Sequence, residues 1–153
     1  MQTRREILKC SGIVAALLLG AGLLPATARA YQKNAFEAKS LEEVFKALGL
    51  PMPQESDAVT LTAPDIAENG AVVPMTMAMA SSLVGIKKML LLVEKNPSPL
   101  IAQFMVNPAV DTQYQTRAKM GESCDVYAVA VMQDGKTLFA KKEVKVTLGG
   151  CGG

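Results

Sequence analysis

The 153-residue chain ends in VTLGGCGG, which sets Cys151 among Gly149, Gly150, Gly152 and Gly153. A thiol is a nucleophile and a soft metal ligand, and it acts in both roles as the thiolate. No neighbour in sequence supplies a cation, and the terminal carboxylate works against ionisation, so this thiol has no activator of its own. Glycine carries no side chain, which makes the tail thin as well as conformationally free. Beyond Leu148, three residues reach at most about 10–11 Å when extended. That is enough to push a sulfur atom into a narrow cleft on another protein, which would then supply the activation. This arrangement suits a covalent carrier whose partners perform the reactions. Three other readings stay open at this level: a disulfide to Cys124, a disulfide to another chain, and a disordered end that happens to contain a thiol. Cys124 sits near the start of an expected strand, and a bridge needs Cα atoms within about 7 Å of each other. Such a bridge also has no use for flanking glycines. Prenylation is excluded, since the cysteine is third from the end.

A second group with possible chemistry is PMTMAM, which puts Met75, Met77 and Met79 on one face of a strand. Thioethers select Cu(I), so a periplasmic copper-binding β-sandwich is the alternative reading of the chain. Methionine is also an adaptable filler of cores and partner surfaces. With no histidine and no second methionine cluster nearby, packing or an interface is the stronger reading. The lack of histidine removes a Ser-His-Asp triad, a Cys-His pair and any imidazole metal site. No CxxC, P-loop or GxGxxG fingerprint occurs. The acidic residues are scattered over strand surfaces and turns. No metal site, no cofactor and no catalysis by this chain alone are expected.

The compartment is written at the other end. TRREILK, at Thr3 to Lys9, gives a basic start with Arg4 and Arg5, followed by the apolar run Ile13 to Leu24 and by ATARA. Ala28 and Ala30 form a small-x-small cleavage signal, which predicts a mature chain starting at Tyr31. The apolar run is too short for a membrane anchor, and the arginine pair resembles a twin-arginine signal for export of folded proteins. Cys10 precedes the apolar run instead of ending it, which argues against a lipoprotein. Removing residues 1–30 leaves 12 basic and 13 acidic residues, a net charge of −1. The apparent basicity of the whole chain therefore belongs to the signal, and nothing supports nucleic-acid binding. The remaining 123 residues suit one domain, residues 31–148, ahead of a carrier tail at 149–153.

The elements that must position the tail are mostly strands. In SLEEVFKALGLP, Ser40 and Glu43 have capping-box spacing, and Leu41, Val44, Phe45 and Leu48 form one helical face. Gly49 and Pro51 stop that helix. From there the pattern turns to period two. Val59 and Leu61 alternate with threonines, and ENG at Glu68 to Gly70 signals a turn. In AVVPMTMAM, Pro74 implies a strand edge or a bulge. IKKMLLLVE and LIAQFMV flank an NPSP turn, YQTRAKM alternates cleanly, and CDVYAVAVM meets TLFAKKEVKVTL across an Asp134-Gly135 hairpin turn. Some seven short strands without interleaved helices predict an all-β, immunoglobulin-like antiparallel sandwich preceded by one short amphipathic helix. Met89 to Val93 and Val126 to Met132 are apolar on both faces. Such strands are expected to be covered on the far side by a second subunit, with the helix able to cover part.

With these residues in view, the chain resembles the SoxY family, the sulfur-carrying subunits of the thiosulfate-oxidising Sox system. The resemblance is carried by the leader, the helix before the sandwich, DIAENGAVVP at Asp65 to Pro74, KNPSPLIAQF at Lys95 to Phe104, and above all GGCGG. It implies that Cys151 is the covalent attachment site for thiosulfate-derived sulfur and that the glycines form a swinging arm. It further implies that a c-type cytochrome couples thiosulfate to the thiol, giving a cysteine S-thiosulfonate. A metal-dependent hydrolase would then release sulfate and leave a persulfide. A sulfur dehydrogenase would oxidise the sulfane atom, or that atom would be transferred elsewhere. The resemblance also implies a heterodimer with a leaderless SoxZ-like β-sandwich, exported already bound to this chain. Cys124 has no counterpart in the carrier motif and is expected to be a half-buried packing thiol.

Overall fold

Ser40 begins the helix that the sequence predicts. Its backbone is extended, its hydroxyl accepts from the Glu43 N–H at 3.2 Å, and Glu43 returns a carboxylate to the Lys39 N–H at 2.8 Å. That exchange satisfies donors which the first helical turn leaves open. The helix ends at Gly49, whose φ of 65° is the left-handed cap position that glycine takes without strain. The structure is a computed structural model of the chain, and it describes residues 33–107 and 112–147. The proposed leader, residues 1–30, lies outside the described residues.

Two helices are present among the described residues, one more than the sequence reading gave. Helix α1 spans Lys33–Glu37 and α2 spans Leu41–Leu48. The first is a single turn of five residues, too short to show an apolar period in sequence. Nine strands follow: β1 (Gln54–Glu55), β2 (Val59–Thr62), β3 (Ile66–Ala67), β4 (Val73–Met79), β5 (Ile86–Val93), β6 (Leu100–Met105), β7 (Gln113–Ala118), β8 (Cys124–Met132) and β9 (Thr137–Val146). Seven of them have four or more residues, and these are the strands that the alternating pattern predicts.

The strands form an all-β sandwich. The larger sheet has the order β1-β9-β8-β5-β6, with β3 also pairing with β9, and the smaller has the order β2-β4-β7. The long pairs are antiparallel, as expected. The two-residue strands β1 and β3 depart from that expectation, because both run parallel to β9. Pro74 also sits differently from a simple edge strand, since β4 is the middle strand of its sheet. The β2 ladder stops at Thr62 opposite Thr76, so at Pro74 only β7 is paired and the strand is locally an edge.

Between the sheets lies the main core. Met75, Met77, Met89, Leu91, Val93, Val126, Ala128 and Ala130 meet there, each at most 1% exposed. The other face of the larger sheet carries Leu90, Leu92, Leu100, Val129 and Val131, and these pack against Ala35, Ala38, Val44, Phe45 and Leu48 of the helical segment. This corrects the expectation that a second subunit covers the two-sided apolar strands. The chain's own helices do so, and burying side chains such as Val44, Phe45 and Leu48 contributes about 1.5–3 kcal/mol each. The turn between β5 and β6 holds this layer in place. The Ser98 hydroxyl donates to the Phe36 carbonyl, and the Lys39 ammonium donates to the Pro97 carbonyl at 3.1 Å.

Candidate functional site

Strand β9 delivers the chain to the cysteine tail. It runs ten residues and is hydrogen-bonded on both sides, to β8 along Thr137 to Val144 and to β1 and β3 on the opposite edge. Cys151 and its four glycines lie outside the described residues, as does Leu148. The site is therefore described up to Thr147, four links short of Cys151.

That root is held from two directions. On one side the Lys145 N–H donates to the Asp65 carbonyl at 3.0 Å, and the Thr147 N–H donates to the Ala67 carbonyl at 3.1 Å. The Thr147 hydroxyl reaches the Ala67 and Glu68 carbonyls, both at 3.5 Å. On the other side the Val146 N–H donates to the Ser123 hydroxyl oxygen at 2.8 Å. With its last amides bonded in this way, β9 stays in register to its end, and fraying is opposed at the point where the tail begins.

Gly70 makes the close approach possible. A Cβ there would stand 2.6 Å from the Met120 carbonyl oxygen and 2.7 Å from Cγ1 of Val146. Only glycine lets the β3–β4 turn lie against both the β7–β8 loop and the last strand. The Met120 N–H donates to the Gly70 carbonyl at 2.7 Å, which closes the contact. Asn96 braces the same loop from behind: its amide donates to the Lys119 carbonyl at 2.7 Å and accepts from the Gly121 N–H at 3.3 Å. Two segments singled out in sequence, Asp65 to Pro74 and Lys95 to Phe104, thus converge on the root of the tail. Sequence reasoning identified ENG and NPSP as turns but not their shared task, and it missed Ser123 altogether. No local signal marks a serine whose partner lies 23 positions away.

Cys124 is a free thiol, 6% exposed, facing the sandwich core opposite Val144. It is more deeply buried than the half-buried thiol expected. Burial pushes its pKa up, and a hydrogen bond from the Lys95 backbone offsets this only in part. A neutral, enclosed thiol of this kind is a packing group and a poor nucleophile. Cys124 is unbridged in the structure, and Cys151, the disulfide partner considered above, lies outside the described residues.

Met75, Met77 and Met79 do share one face, and it points inward. Their exposures are 1%, 0% and 6%, and they pack against the larger sheet as part of the main core. Three thioethers enclosed by aliphatic side chains have the surroundings of filler, not of an accessible copper site. Among the described residues, no group of three or more histidine, cysteine, aspartate or glutamate side chains is placed to hold a metal ion. No helix among them is long and apolar enough to cross a membrane.

The described residues define a class: a two-sheet β-sandwich whose last strand is braced up to Thr147. Comparison with known proteins narrows this to one family. The family described as sulfur oxidation protein SoxY matches over residues 44–151. Among solved structures, the sulfur carrier protein SoxY from Chlorobium limicola f thiosulfatophilum is 34% identical, with a TM-score of 0.60 over 70% of this chain and 94% of that one. This chain belongs to the SoxY family. A superoxide reductase (neelaredoxin) from Ignicoccus hospitalis is similar at 16% identity and a TM-score of 0.51, over 59% of this chain and 80% of that one. That likeness shows the fold alone. No curated protein matches in sequence.

Proposed function

We propose that this protein is a covalent carrier of sulfur intermediates in thiosulfate oxidation, with Cys151 as the attachment site and Gly149, Gly150, Gly152 and Gly153 as the arm. The observation that carries the reading is the braced root at Thr147, from which the family's terminal GGCGG departs. Support also comes from the similar Chlorobium protein, a sulfur carrier. The chain is the carrier and partners do the chemistry. In the loading step the Cys151 thiolate and thiosulfate form a new S–S bond and lose two electrons to a c-type cytochrome. A water then attacks the terminal sulfonate sulfur in a hydrolase, releasing sulfate and two protons and leaving a cysteine persulfide. A sulfur dehydrogenase oxidises the remaining sulfane atom where that enzyme is present. The carrier works as a heterodimer with a SoxZ-like sandwich. It resides in the periplasm after twin-arginine export, with residues 1–30 removed as the signal.

Intact-protein mass spectrometry tests this reading. Incubation of the complex with thiosulfate and the loading cytochrome should add the mass of a thiosulfonate group to this chain. The hydrolase should reduce that increment to one sulfur atom. Cys151→Ser should gain nothing; an adduct of the same mass on that variant would end the proposal.

A further inference from the structure

We propose that Ile66 and Val72 form an apolar docking collar around the root of the tail, covered by each enzyme that acts on Cys151. This deepens the carrier reading and rests on it. The argument starts from length. Thr147 is fixed by its bonds to Ala67 and Glu68. From its Cα to that of Cys151 the chain has four links, at most about 14 Å when fully extended. A cleft deep enough to exclude water from a labile sulfur group consumes most of that reach. The rim of the cleft must then close over the surface beside Thr147, so this surface is buried in every productive encounter.

That surface carries two large apolar side chains which the fold leaves unburied. Ile66 is 58% exposed and pairs with Lys145, two residues before Thr147. Val72 is 51% exposed and lies two residues past Gly70, the glycine seated against Val146. Neither is needed by the core. Charges of both signs lie beside Ile66: its ladder partner Lys145, and its neighbour Asp65 paired with Lys142 at 2.9 Å. A mixed field of this kind favours a near-neutral partner rim over a strongly charged one. The fitting occupant is therefore a protein surface with an apolar, weakly charged margin around a recessed site. A small contact of this sort gives fast release, which a carrier visiting several enzymes needs.

Val84, the most exposed of the large apolar side chains among the described residues, is out of range. It is 84% exposed and precedes Ile86, which pairs with Met132 at the far end of β8 from Cys124. Eight residue steps along a strand separate those ends, about 26 Å. Val84 therefore serves as a control.

The test uses the full mature chain in complex with its sandwich partner, loaded by thiosulfate and the cytochrome at a series of cytochrome concentrations. In Ile66→Glu/Val72→Glu, the concentration giving half-maximal loading should rise about tenfold or more, with the maximal rate little changed. The milder Ile66→Ser/Val72→Ser should move in the same direction. Val84→Glu should behave as the parent does, and alkylation of Cys151 by iodoacetamide should be equal in all. Four results would overturn the collar. These are unchanged loading in both double variants, an equal loss in Val84→Glu, release of the sandwich partner, or an altered alkylation rate that assigns the patch to the tail itself. Failure of the carrier reading looks different, because there the parent protein gains no mass, or Cys151→Ser gains as much.

Discussion

Cys124 shows what enclosure does to a thiol. It lies opposite Val144 in the core, and burial holds its pKa above the ordinary thiol range. The sign of the linkage follows. The folded state keeps the proton that the unfolded chain gives up, so this residue favours folding below the ordinary thiol pKa. The contribution is lost as pH rises through that range. Urea midpoints should fall on going to alkaline pH, and part of that fall should vanish in Cys124→Ala. The same variant should lose about 1 kcal/mol at neutral pH and still load fully at Cys151. A reagent such as iodoacetamide should label Cys151 in the native protein and reach Cys124 only on unfolding. Equal native labelling would contradict the assignment of Cys124 as a packing group. The sequence distinguished the two cysteines by their company, one among glycines and one entering an apolar strand. It did not reveal how deep the second lies, because depth depends on the β8–β9 register.

At the level of elements, the root of the tail depends on three pieces that are distant in sequence: the β3–β4 turn, the β7–β8 loop and the end of β9. Gly70→Ala places a methyl group 2.6 Å from a backbone oxygen that cannot step aside. It should cost about 1–3 kcal/mol and raise hydrogen exchange at Val146 and Thr147 more than in the β5–β8 ladder. A uniform rise across the sheet would refute a local role. The helical layer makes a separate prediction. Phe45→Ala should cost about 3–5 kcal/mol by uncovering the outer face of the large sheet, whereas Ser40→Ala should cost about 1 kcal/mol through its cap. Both are read from urea denaturation. The longer strands and α2 were legible because each carries its own periodicity and its own stop signals. Helix α1 and the parallel strands β1 and β3 were not, since two to five residues hold no period and are fixed by what they dock against. Likewise, the second apolar face of β5 and β8 was visible in sequence, but its cover was not. Short helices and another subunit leave the same mark on a strand.

For the molecule as a whole, the proposed route of export gives a test that does not involve sulfur. Arg4→Lys/Arg5→Lys should leave the chain and its sandwich partner in the cytoplasm together, as cell fractionation would show. If the pair reached the periplasm unimpeded, the twin-arginine reading of the leader would fail. The bonding of β9 also has a mechanical consequence. This strand is laced to β8 through eight residue pairs and to β1 and β3 on its other edge, and its long axis runs toward Thr147, the last described residue. A tug on the terminal thiol by an enzyme reluctant to let go would load those hydrogen bonds side by side in shear, not one after another as in unzipping. Under the proposed carrier role, the fold should therefore withstand traction on the cargo, and separation from a tenacious partner should break the weak contact between proteins before it disturbs the sheet.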